Sequence, residues 1–188
     1  MDSAELSRVP LFARLTEEER IRLAAKMRTL SFEEGAVMVE QGDLPFEFFV
    51  ILDGTATVER SGRHLADLGP GEFFGEQGII EKRRRNAEIT ATSPVRAGVL
   101  AGWDLSDLLE AFPKVRFEIE RTIAASDAAR LARCLDALPE DRAAAIRGAY
   151  LHGQSYAELA RAFDTPLNTM RTWLRRGLAA LRECMSDD

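Results

Sequence analysis

The sequence lacks a long apolar run, and it lacks the signals that direct a chain to or across a membrane. A membrane-spanning helix needs roughly 20 consecutive apolar residues, and no stretch of this chain approaches that length. Residues 1–10 do not contain the basic segment followed by an apolar one that marks a secretion signal. We therefore expect a cytoplasmic protein with no membrane partner.

Only two cysteines and two histidines are present among the 188 residues. Cys134 and Cys184 lie far apart, each within a helical pattern, so we expect reduced thiols rather than a disulfide framework. His64 lies alone in a predicted strand, and His152 lies at a predicted helix end. Neither histidine has a partner at a spacing typical of a metal site or a nucleophile. We therefore predict no metal and no enzymatic activity.

Charge is distributed unevenly along the chain, whose net charge is −6. Residues 1–126 hold 16 Lys and Arg against 22 Asp and Glu, whereas residues 127–188 hold 9 of each sign. Four arginines close to the C-terminus have no acidic residue among them: Arg171, Arg175, Arg176 and Arg182. Because nucleic-acid binding depends on the local patch, the acidic total does not exclude it.

The order of predicted elements indicates an α+β protein. Thr16 and Glu19 form a capping box before a short amphipathic helix. From about residue 29 to residue 100, short apolar runs separated by glycines predict strands, and Asp53-Gly54 is a strong tight-turn signal. The clearest strands are residues 37–39, 48–52, 56–58 and 95–100. Many short strands favour a β-sandwich or β-roll, and only helices are predicted after it.

Residues 114–138 contain neither glycine nor proline and are predicted to form one long helix. Apolar or small side chains recur along it at coiled-coil spacing, with Arg121 as the polar exception. This seam consists of Phe117, Arg121, Ala124, Ala128, Leu131, Leu135 and Leu138. The seam favours a homodimer through residues 114–138. The alternative is a helix that packs the same stripe on its own domain.

Residues 139–188 are predicted to form an all-α domain. Ser155 and Glu158 form a second capping box before a short helix, and residues 164–166 form a turn. The last helix is predicted at residues 167–184, with Met170, Leu174, Leu178 and Leu181 on its inner face. A short helix, a tight turn and a longer basic helix form a helix-turn-helix. We expect three parts: residues 1–113, 114–138 and 139–188.

Residues 71–91 combine two apolar runs, a glycine-flanked acid and four consecutive cations. Backbone N–H groups at a helix start favour an anion, and arginine pairs with a phosphate through a planar fork. The carboxylate of Glu76 can accept hydrogen bonds from ribose hydroxyls. The stretch therefore fits a sugar-phosphate cradle. The alternative is a hairpin with a solvated basic tip.

Four motifs resemble the cyclic-nucleotide-binding domain of the catabolite-activator type, in the order of that family: residues 9–12, 48–54, 68–76 and 85–87. The resemblance implies an eight-stranded, jelly-roll-like β-roll with flanking helices. It also implies that Glu76 accepts from the ribose 2′-hydroxyl and that Arg85 pairs with the cyclic phosphate. Gly75 and Ala87 would offer backbone N–H groups, and Asn86 replaces the usual Ser or Thr. The implied ligand is cAMP, cGMP or another nucleotide.

The C-terminal motifs resemble region 4 of extracytoplasmic-function sigma factors, in residues 138–142, 153–160, 166–176 and 178–184. In that family, region 4 reads double-stranded promoter DNA and contacts RNA polymerase. No strand is predicted after residue 181, so we expect a helix-turn-helix domain without a wing. The domain that melts promoter DNA in sigma factors has no counterpart here, so we do not expect a complete sigma factor.

With Met170 and Leu174 facing inward, the opposite side of the last helix presents polar and basic side chains. We predict that the DNA-contacting residues are Asn168, Thr169, Arg171, Thr172, Arg175 and Arg176. The alternative is a solvated basic face. Trp173 stands where the sigma family often has a basic residue, and it is available to pack against another helix or a partner.

Two hypotheses follow from the sequence. The first is a homodimeric transcription regulator in which a cyclic nucleotide controls DNA binding. The second is an adaptor that binds RNA polymerase or another regulator through its sigma-like domain. In the second hypothesis, the β-roll is a dimerisation scaffold that need not bind a ligand.

Overall fold

The computed structural model describes residues 1–186 and divides the chain into two units, Met1–Ile123 and Ala124–Asp188. The first unit holds two antiparallel sheets flanked by helices, and the second holds helices only within its described residues. This is the predicted α+β class.

Two short helices and a 3-10 turn begin the first unit: α1 Ser3–Leu6, the turn Pro10–Phe12 and α2 Glu17–Lys26. The predicted capping box is present at the start of α2. The backbone N–H of Thr16 donates to Glu19 Oε2 at 2.7 Å, and the N–H of Glu19 donates to Thr16 Oγ1 at 3.3 Å. Leu6 and Phe12 are fully buried, so both segments anchor on the core of the sheets.

The described residues form eight strands in two four-stranded sheets, with the orders β1-β8-β3-β6 and β2-β7-β4-β5. The strands are β1 Arg28–Phe32, β2 Val37–Val39, β3 Glu47–Asp53, β4 Ala56–Arg60, β5 Arg63–Leu68, β6 Phe73–Phe74, β7 Glu88–Ala91 and β8 Val95–Ala101. Every pairing is antiparallel. Each clear strand in the sequence is confirmed, as is the β-roll of eight strands.

The predicted turn at Asp53-Gly54 is a position that only glycine fits. Gly54 has φ +85°, and a Cβ there would stand 2.1 Å from the carbonyl oxygen of Pro94. Ser61 and Gly62 also have positive φ, which is the geometry of a two-residue hairpin loop between β4 and β5. The hairpin loop therefore sets the register of β4 and β5, whereas the turn at Gly54 carries the chain from β3 in one sheet to β4 in the other.

Two further helices belong to the first unit: α3 Glu76–Glu81 and α4 Gly102–Ala111. The long helix α5, Pro113–Asp136, begins in the first unit and ends in the second. The hydrophobic core has two parts. One lies between the sheets and includes Phe49, Ile51 and Phe74, while the other lies beneath the helices and includes Phe48 and Leu105. Strand β6 contributes Phe74 to the core between the sheets, and helix α3 starts after it, with only Gly75 between them.

The second unit combines the end of α5 with α6 Glu140–Tyr150, α7 Tyr156–Ala162 and α8 Leu167–Ser186. The capping box at Ser155 and Glu158 is confirmed. Met170 and Leu174 are buried with Leu159, so α7 and α8 pack as the two helices of a helix-turn-helix. No strand follows β8 within residues 1–186, so the described chain contains no wing.

The inner face of α8 differs from the prediction at one position. Leu178 is 37% exposed, whereas Gly177 is buried. A Cβ on Gly177 would stand 2.6 Å from Cδ1 of Ile146, so the backbone of α8 approaches α6 closely there. The smallest side chain faces the neighbouring helix, which turns Leu178 outward.

The expectation of reduced thiols is wrong in this structure. Cys134 on α5 and Cys184 on α8 are joined by a disulfide, with Cα atoms 5.9 Å apart and 50 residues between them in sequence. The sequence did not predict this pairing because the two cysteines lie far apart along the chain. They meet only because the last turn of α8 packs against α5. The argument from free thiols to a reducing compartment therefore does not hold.

No helix of residues 1–186 combines the length and the apolar character that crossing a membrane requires.

Candidate functional sites

Arg85 is the only buried charged residue among those the structure describes, with 7% of its surface exposed. Its Nη1 donates to the carbonyl oxygen of Gly75 at 2.8 Å, and its Nη2 donates to that of Glu47. Its backbone is also paired, because its N–H donates to Asp43 and its carbonyl accepts from Gly42. Both side chain and backbone of Arg85 are therefore held in place.

Gly75 allows this arrangement because it has φ +89° and no side chain. A Cβ at this position would stand 2.6 Å from Nη1 of Arg85 and 2.8 Å from the carbonyl oxygen of Glu47. The left-handed turn at Gly75 ends strand β6 and starts α3 at Glu76. The sequence Phe74-Gly75-Glu76 therefore brings a carboxylate next to the buried guanidinium.

The side chain of Glu76 has an unusual acidity. Burial raises the pKa of Glu76 to about 7, and this effect outweighs the stabilisation of the carboxylate by its own backbone N–H and by the charge of Arg85. Burial also lowers the pKa of Arg85, against the opposing effect of the Glu76 and Asp43 charges. Near neutral pH, the buried cation therefore faces a carboxylate that is only partly ionised.

Asn86 and Ala87 follow Arg85 in the same segment. The Asn86 side chain donates to Gln77 Oε1 at 2.8 Å, and its carbonyl oxygen accepts from Arg60 Nε at 2.6 Å. Ala87 is buried just before β7. The structure thus brings Gly75, Glu76 and Arg85 together and holds Asn86 beside them through Gln77.

Sequence reasoning missed Arg60 as a support of this segment. Arg60 ends β4 and pairs in the ladder with Arg63 across the tight hairpin, so the two cations look like a solvated tip. Only the fold places Arg60 against the carbonyl of Asn86. The carbonyl of Glu47, which accepts from Arg85, likewise carries no signal in the sequence.

Arg85 also lines a cavity of about 290 Å³, whose apolar wall includes Met38, Val39 and Phe49. Asp43, Leu44, Phe46 and Glu47 complete its lining. The Glu47 carboxylate is paired with Arg28, so its charge is partly balanced outside the cavity. An apolar wall with one deeply held cation is the usual composition of a small-molecule site.

Five of the six predicted DNA-contacting side chains on α8 are exposed: Asn168, Thr169, Arg171, Arg175 and Arg176. The sixth, Thr172, is half-buried, and its hydroxyl donates to the backbone carbonyl of Asn168 at 3.0 Å. Arg171 donates to the Asn168 side chain at 3.3 Å. Arg171 and Arg175 lie one helical turn apart, and Arg176 follows Arg175 directly, so the three charges lie together on the exposed part of α8.

Trp173 packs inside the second unit. Its ring meets that of Phe163 edge to face, with centroids 6.4 Å apart. Phe163 ends α7, so this contact fixes the turn between α7 and α8. Trp173 therefore serves the fold of the helix-turn-helix, which was one of the roles considered for it.

The seam on α5 divides into two parts. Phe117 is 63% exposed and Leu131 is 39% exposed, and the positions between them, Arg121, Ala124 and Ala128, are exposed as well. Leu135 is buried in the core of the second unit, and Leu138 packs against that core. The last two seam positions therefore serve the second unit, and the exposed seam runs from residue 117 to residue 131.

Two protein-family models match the chain. The model of the cyclic nucleotide-binding domain matches residues 29–112, and the model of sigma-70, region 4 matches residues 128–181. Both resemblances in the sequence are confirmed.

Curated proteins resemble part of the chain. The cAMP-dependent protein kinase regulatory subunit of Schizosaccharomyces pombe is 30% identical over 92 residues, which is 48% of this chain and 22% of that protein. The chain spans between 21% and 32% of the length of the curated relatives it matches.

Solved structures share the fold. The N-terminal domain of a transcriptional regulator from Streptomyces coelicolor A3(2) is 30% identical with a TM-score of 0.52, over 72% of this chain and 98% of that one. The regulatory domain of Toxoplasma gondii PKA, crystallised with cAMP, has a TM-score of 0.60 at 22% identity, over 65% of this chain and 48% of that one.

Proposed function

Because residues 29–112 belong to the cyclic nucleotide-binding domain family and residues 128–181 to the sigma-70 region 4 family, we propose that this protein is a transcription regulator whose DNA binding responds to a cyclic nucleotide. It acts as a homodimer in the cytoplasm, and it is not an enzyme. The ligand is cAMP or cGMP, and the DNA is double-stranded.

The buried guanidinium of Arg85 carries the proposal. A buried charge is costly unless a charged partner balances it. Here the two hydrogen-bond acceptors are neutral carbonyl oxygens, and the neighbouring Glu76 is only partly ionised near pH 7. A guanidinium has more N–H donors than these two contacts use. A cyclic phosphate supplies a negative charge that pairs with the guanidinium, and its oxygens accept hydrogen bonds from the remaining N–H groups of Arg85.

The other predicted ligand-binding residues complete the site for this nucleotide. Glu76 accepts from the ribose 2′-hydroxyl, while the backbone N–H groups of Gly75 and Ala87 and the side chain of Asn86 surround the phosphate. The apolar wall formed by Met38, Val39 and Phe49 gives the rest of the nucleotide a surface from which water is excluded.

The output is DNA binding through α8. Arg175 and Arg176 neutralise phosphates or read guanine edges, and Asn168, Thr169 and Thr172 near the helix start reach base edges in the major groove. Two copies joined along the exposed seam from residue 117 to residue 131 present two such helices. A ligand controls this output only if it binds two arrangements of the dimer unequally.

Calorimetric titration of the full chain with cAMP, cGMP and cyclic dinucleotides tests the input. We expect heat with cAMP or cGMP, and binding at least about 100-fold weaker in Arg85→Ala because a charge-assisted phosphate contact is lost. Arg85→Lys separates loss of the fork from loss of charge. Arg83→Ala is the matched control, since Arg83 is exposed. If wild type gives no heat with any of these nucleotides, the sensor proposal fails.

Selection of DNA sites from a random duplex pool, with and without the nucleotide that binds, tests the output. Thr172→Ala and Arg176→Ala should each weaken binding to the selected site by about tenfold or more. The control Arg133→Ala changes an exposed arginine of α5 and should not. Unchanged binding in both α8 variants would show that this helix does not read DNA.

A second candidate function is the adaptor that binds RNA polymerase or another regulator. It is favoured by an exposed apolar group on the second unit, where Tyr150 is 54% exposed, Leu151 67% and Tyr156 40%. The two tyrosine hydroxyls lie 3.4 Å apart, so they form one patch. Such a patch suits a protein partner better than a phosphate backbone. Tyr150→Ala should then weaken polymerase binding without changing the selected DNA site.

A further inference from the structure

A cavity of about 570 Å³ lies in the first unit, apart from the buried Arg85. Its lining comes from three segments: the loop of residues 44–46, residues 79 and 82–84 at the end of α3, and residues 102, 103 and 106 at the start of α4. We call these residues the Trp103 surface. Leu44 and Phe46 also line the cavity beside Arg85, whereas the other residues of this surface take no part in the proposed nucleotide or DNA binding.

The Trp103 surface exposes large apolar side chains that a folded protein ordinarily covers. Trp103 is 70% exposed, Phe46 63% and Leu44 51%. Tryptophan is a highly buried residue on average, and contiguous apolar exposure of this kind marks interaction sites. The three side chains line one cavity, so they form a patch rather than scattered exceptions.

Three consecutive cations form the rim of the same patch. The Lys82 side chain makes no hydrogen bond or ion pair within residues 1–186, and the Arg83 side chain has only a long contact of 3.9 Å with Glu81. Arg84 donates to the carbonyl oxygen of Gly42 at 2.8 Å, which fixes its side chain beside the cavity. Lys82 adopts a left-handed backbone conformation as the C-cap of α3, so the chain turns sharply there.

The walls of the cavity are held rigidly together. A Cβ on Gly78 would stand 2.8 Å from Cβ of Pro45, so α3 and the loop are in close contact. The N–H of Gly102 donates to the carbonyl oxygen of Phe46 at 2.8 Å, which joins the loop to α4. A preformed site loses less conformational entropy when a partner binds.

We propose that the Trp103 surface docks an acidic segment of another protein, with an aliphatic or aromatic side chain inserted between Trp103 and Phe46 and carboxylates on Lys82, Arg83 and Arg84. Charge complementarity selects this occupant. Tryptophan and arginine are also the residues that most often dominate the binding energy of protein interfaces.

A nucleic acid fits this surface less well. A single-stranded nucleic acid carries negative phosphates and flat bases that stack on aromatic rings. Leu44, Pro45 and Ile79 instead line the cavity with aliphatic side chains, on which a base cannot stack in this way. In addition, residues 1–123 hold 16 Lys and Arg against 22 Asp and Glu, a net −6 that repels a long polyanion. A short acidic segment avoids that repulsion because it needs only the three local cations.

The test is selection of a random peptide library displayed on phage against the immobilised full chain, followed by fluorescence anisotropy with the winning peptide. The expected winners carry two or more carboxylates next to an aliphatic or aromatic residue. We expect Trp103→Ala and the double variant Arg83→Glu/Arg84→Glu each to weaken binding by about tenfold or more. Binding should also weaken as salt rises.

The double variant Arg8→Glu/Arg63→Glu is the matched control, because it makes the same charge change at two exposed arginines that do not line the cavity. It should stay within about twofold of wild type. Thermal unfolding confirms that each variant is folded.

Three outcomes overturn the proposal. Selection that yields no peptide, or only neutral or basic ones, excludes an acidic partner. Binding of oligothymidylate that depends on Trp103, in place of peptide binding, assigns the surface to single-stranded nucleic acid. A change of oligomeric state in Trp103→Ala makes the surface a contact between two copies of this chain.

Discussion

Nη1 of Arg85 donates to the carbonyl oxygen of Gly75 at 2.8 Å, and a Cβ on residue 75 would stand 2.6 Å from the same nitrogen. The Arg85 guanidinium can therefore occupy this position only because residue 75 has no side chain. This contact fixes the position of the Arg85 side chain before any ligand binds, because both the donor and the acceptor belong to the protein.

Gly75→Ala is expected to displace the Arg85 guanidinium and to weaken cyclic-nucleotide binding by about tenfold or more. It should also lower the free energy of unfolding by about 2–3 kcal/mol, from the left-handed φ together with the clash. Gly35→Ala is the matched control, since Gly35 has φ +82° but nothing within 4 Å of an added Cβ. It should cost about 1 kcal/mol and leave ligand affinity unchanged. Calorimetric titration and urea unfolding measure both effects, and equal losses in the two variants would contradict the contact.

Glu76 should make the stability of the first unit depend on pH. Its pKa is about 7 in the folded chain against 4.5 as the ordinary value, so between those values the folded state holds more protons than the unfolded one. The free energy of unfolding therefore falls as pH rises from about 4.5 to about 7.

Glu76→Gln removes this dependence, because the amide does not titrate. Relative to that variant, wild type should lose about 2 kcal/mol between about pH 5 and about pH 8. Urea unfolding at both pH values measures the difference, with the exposed Glu81→Gln as the control. Parallel pH curves for wild type and Glu76→Gln would refute the raised pKa.

Reduction of the Cys134–Cys184 disulfide should destabilise the second unit by about 2–4 kcal/mol, since it restores freedom to the unfolded chain. The two tryptophans report on different units, with Trp103 in the first and Trp173 in the second. In a Trp103→Phe background, urea unfolding monitored by tryptophan fluorescence should shift on addition of a thiol reductant. In a Trp173→Phe background it should not. Cys134→Ser/Cys184→Ser provides the reduced reference, and an unchanged midpoint in the first background would argue against the bond.

The exposed seam of α5 should set the oligomeric state. Phe117→Asp and Leu131→Asp place a charge at its two ends, where burial in a dimer would be costly. Light scattering after size exclusion should show a dimer for wild type and a shift toward monomer for each variant. Ile21→Asp, at a residue that is 54% exposed on α2, should stay dimeric. A monomeric wild type would remove the dimer from the proposal.

Local patterns predicted most of the elements, because they depend on neighbouring residues. Thr16 with Glu19 and Ser155 with Glu158 form the capping boxes expected from their spacing. Asp53-Gly54 forms the expected turn, and a side chain at residue 54 would clash with the carbonyl oxygen of Pro94. These signals act over a few residues, so a sequence displays them directly.

Relationships between distant segments were not predictable in this way. The partners of Arg85 are backbone carbonyls of Gly75 and Glu47, and a backbone atom leaves no mark in a sequence. The disulfide joins residues 50 apart, and only the packing of α8 shows that they meet. A helical wheel placed Leu178 inward, whereas close packing on Ile146 selected Gly177. In each case tertiary packing decided the outcome, and the local pattern carried no information about it.

The disulfide turns the segment from Cys134 to Cys184 into a covalent ring that contains α6, α7 and most of α8. A protease that cuts once inside this ring, for example at the exposed Gly153, releases no fragment. The nicked protein gains the mass of one water and separates into two pieces only under reducing electrophoresis. The helices of the second unit therefore remain covalently attached to the rest of the protein after a cut that would split an open chain in two.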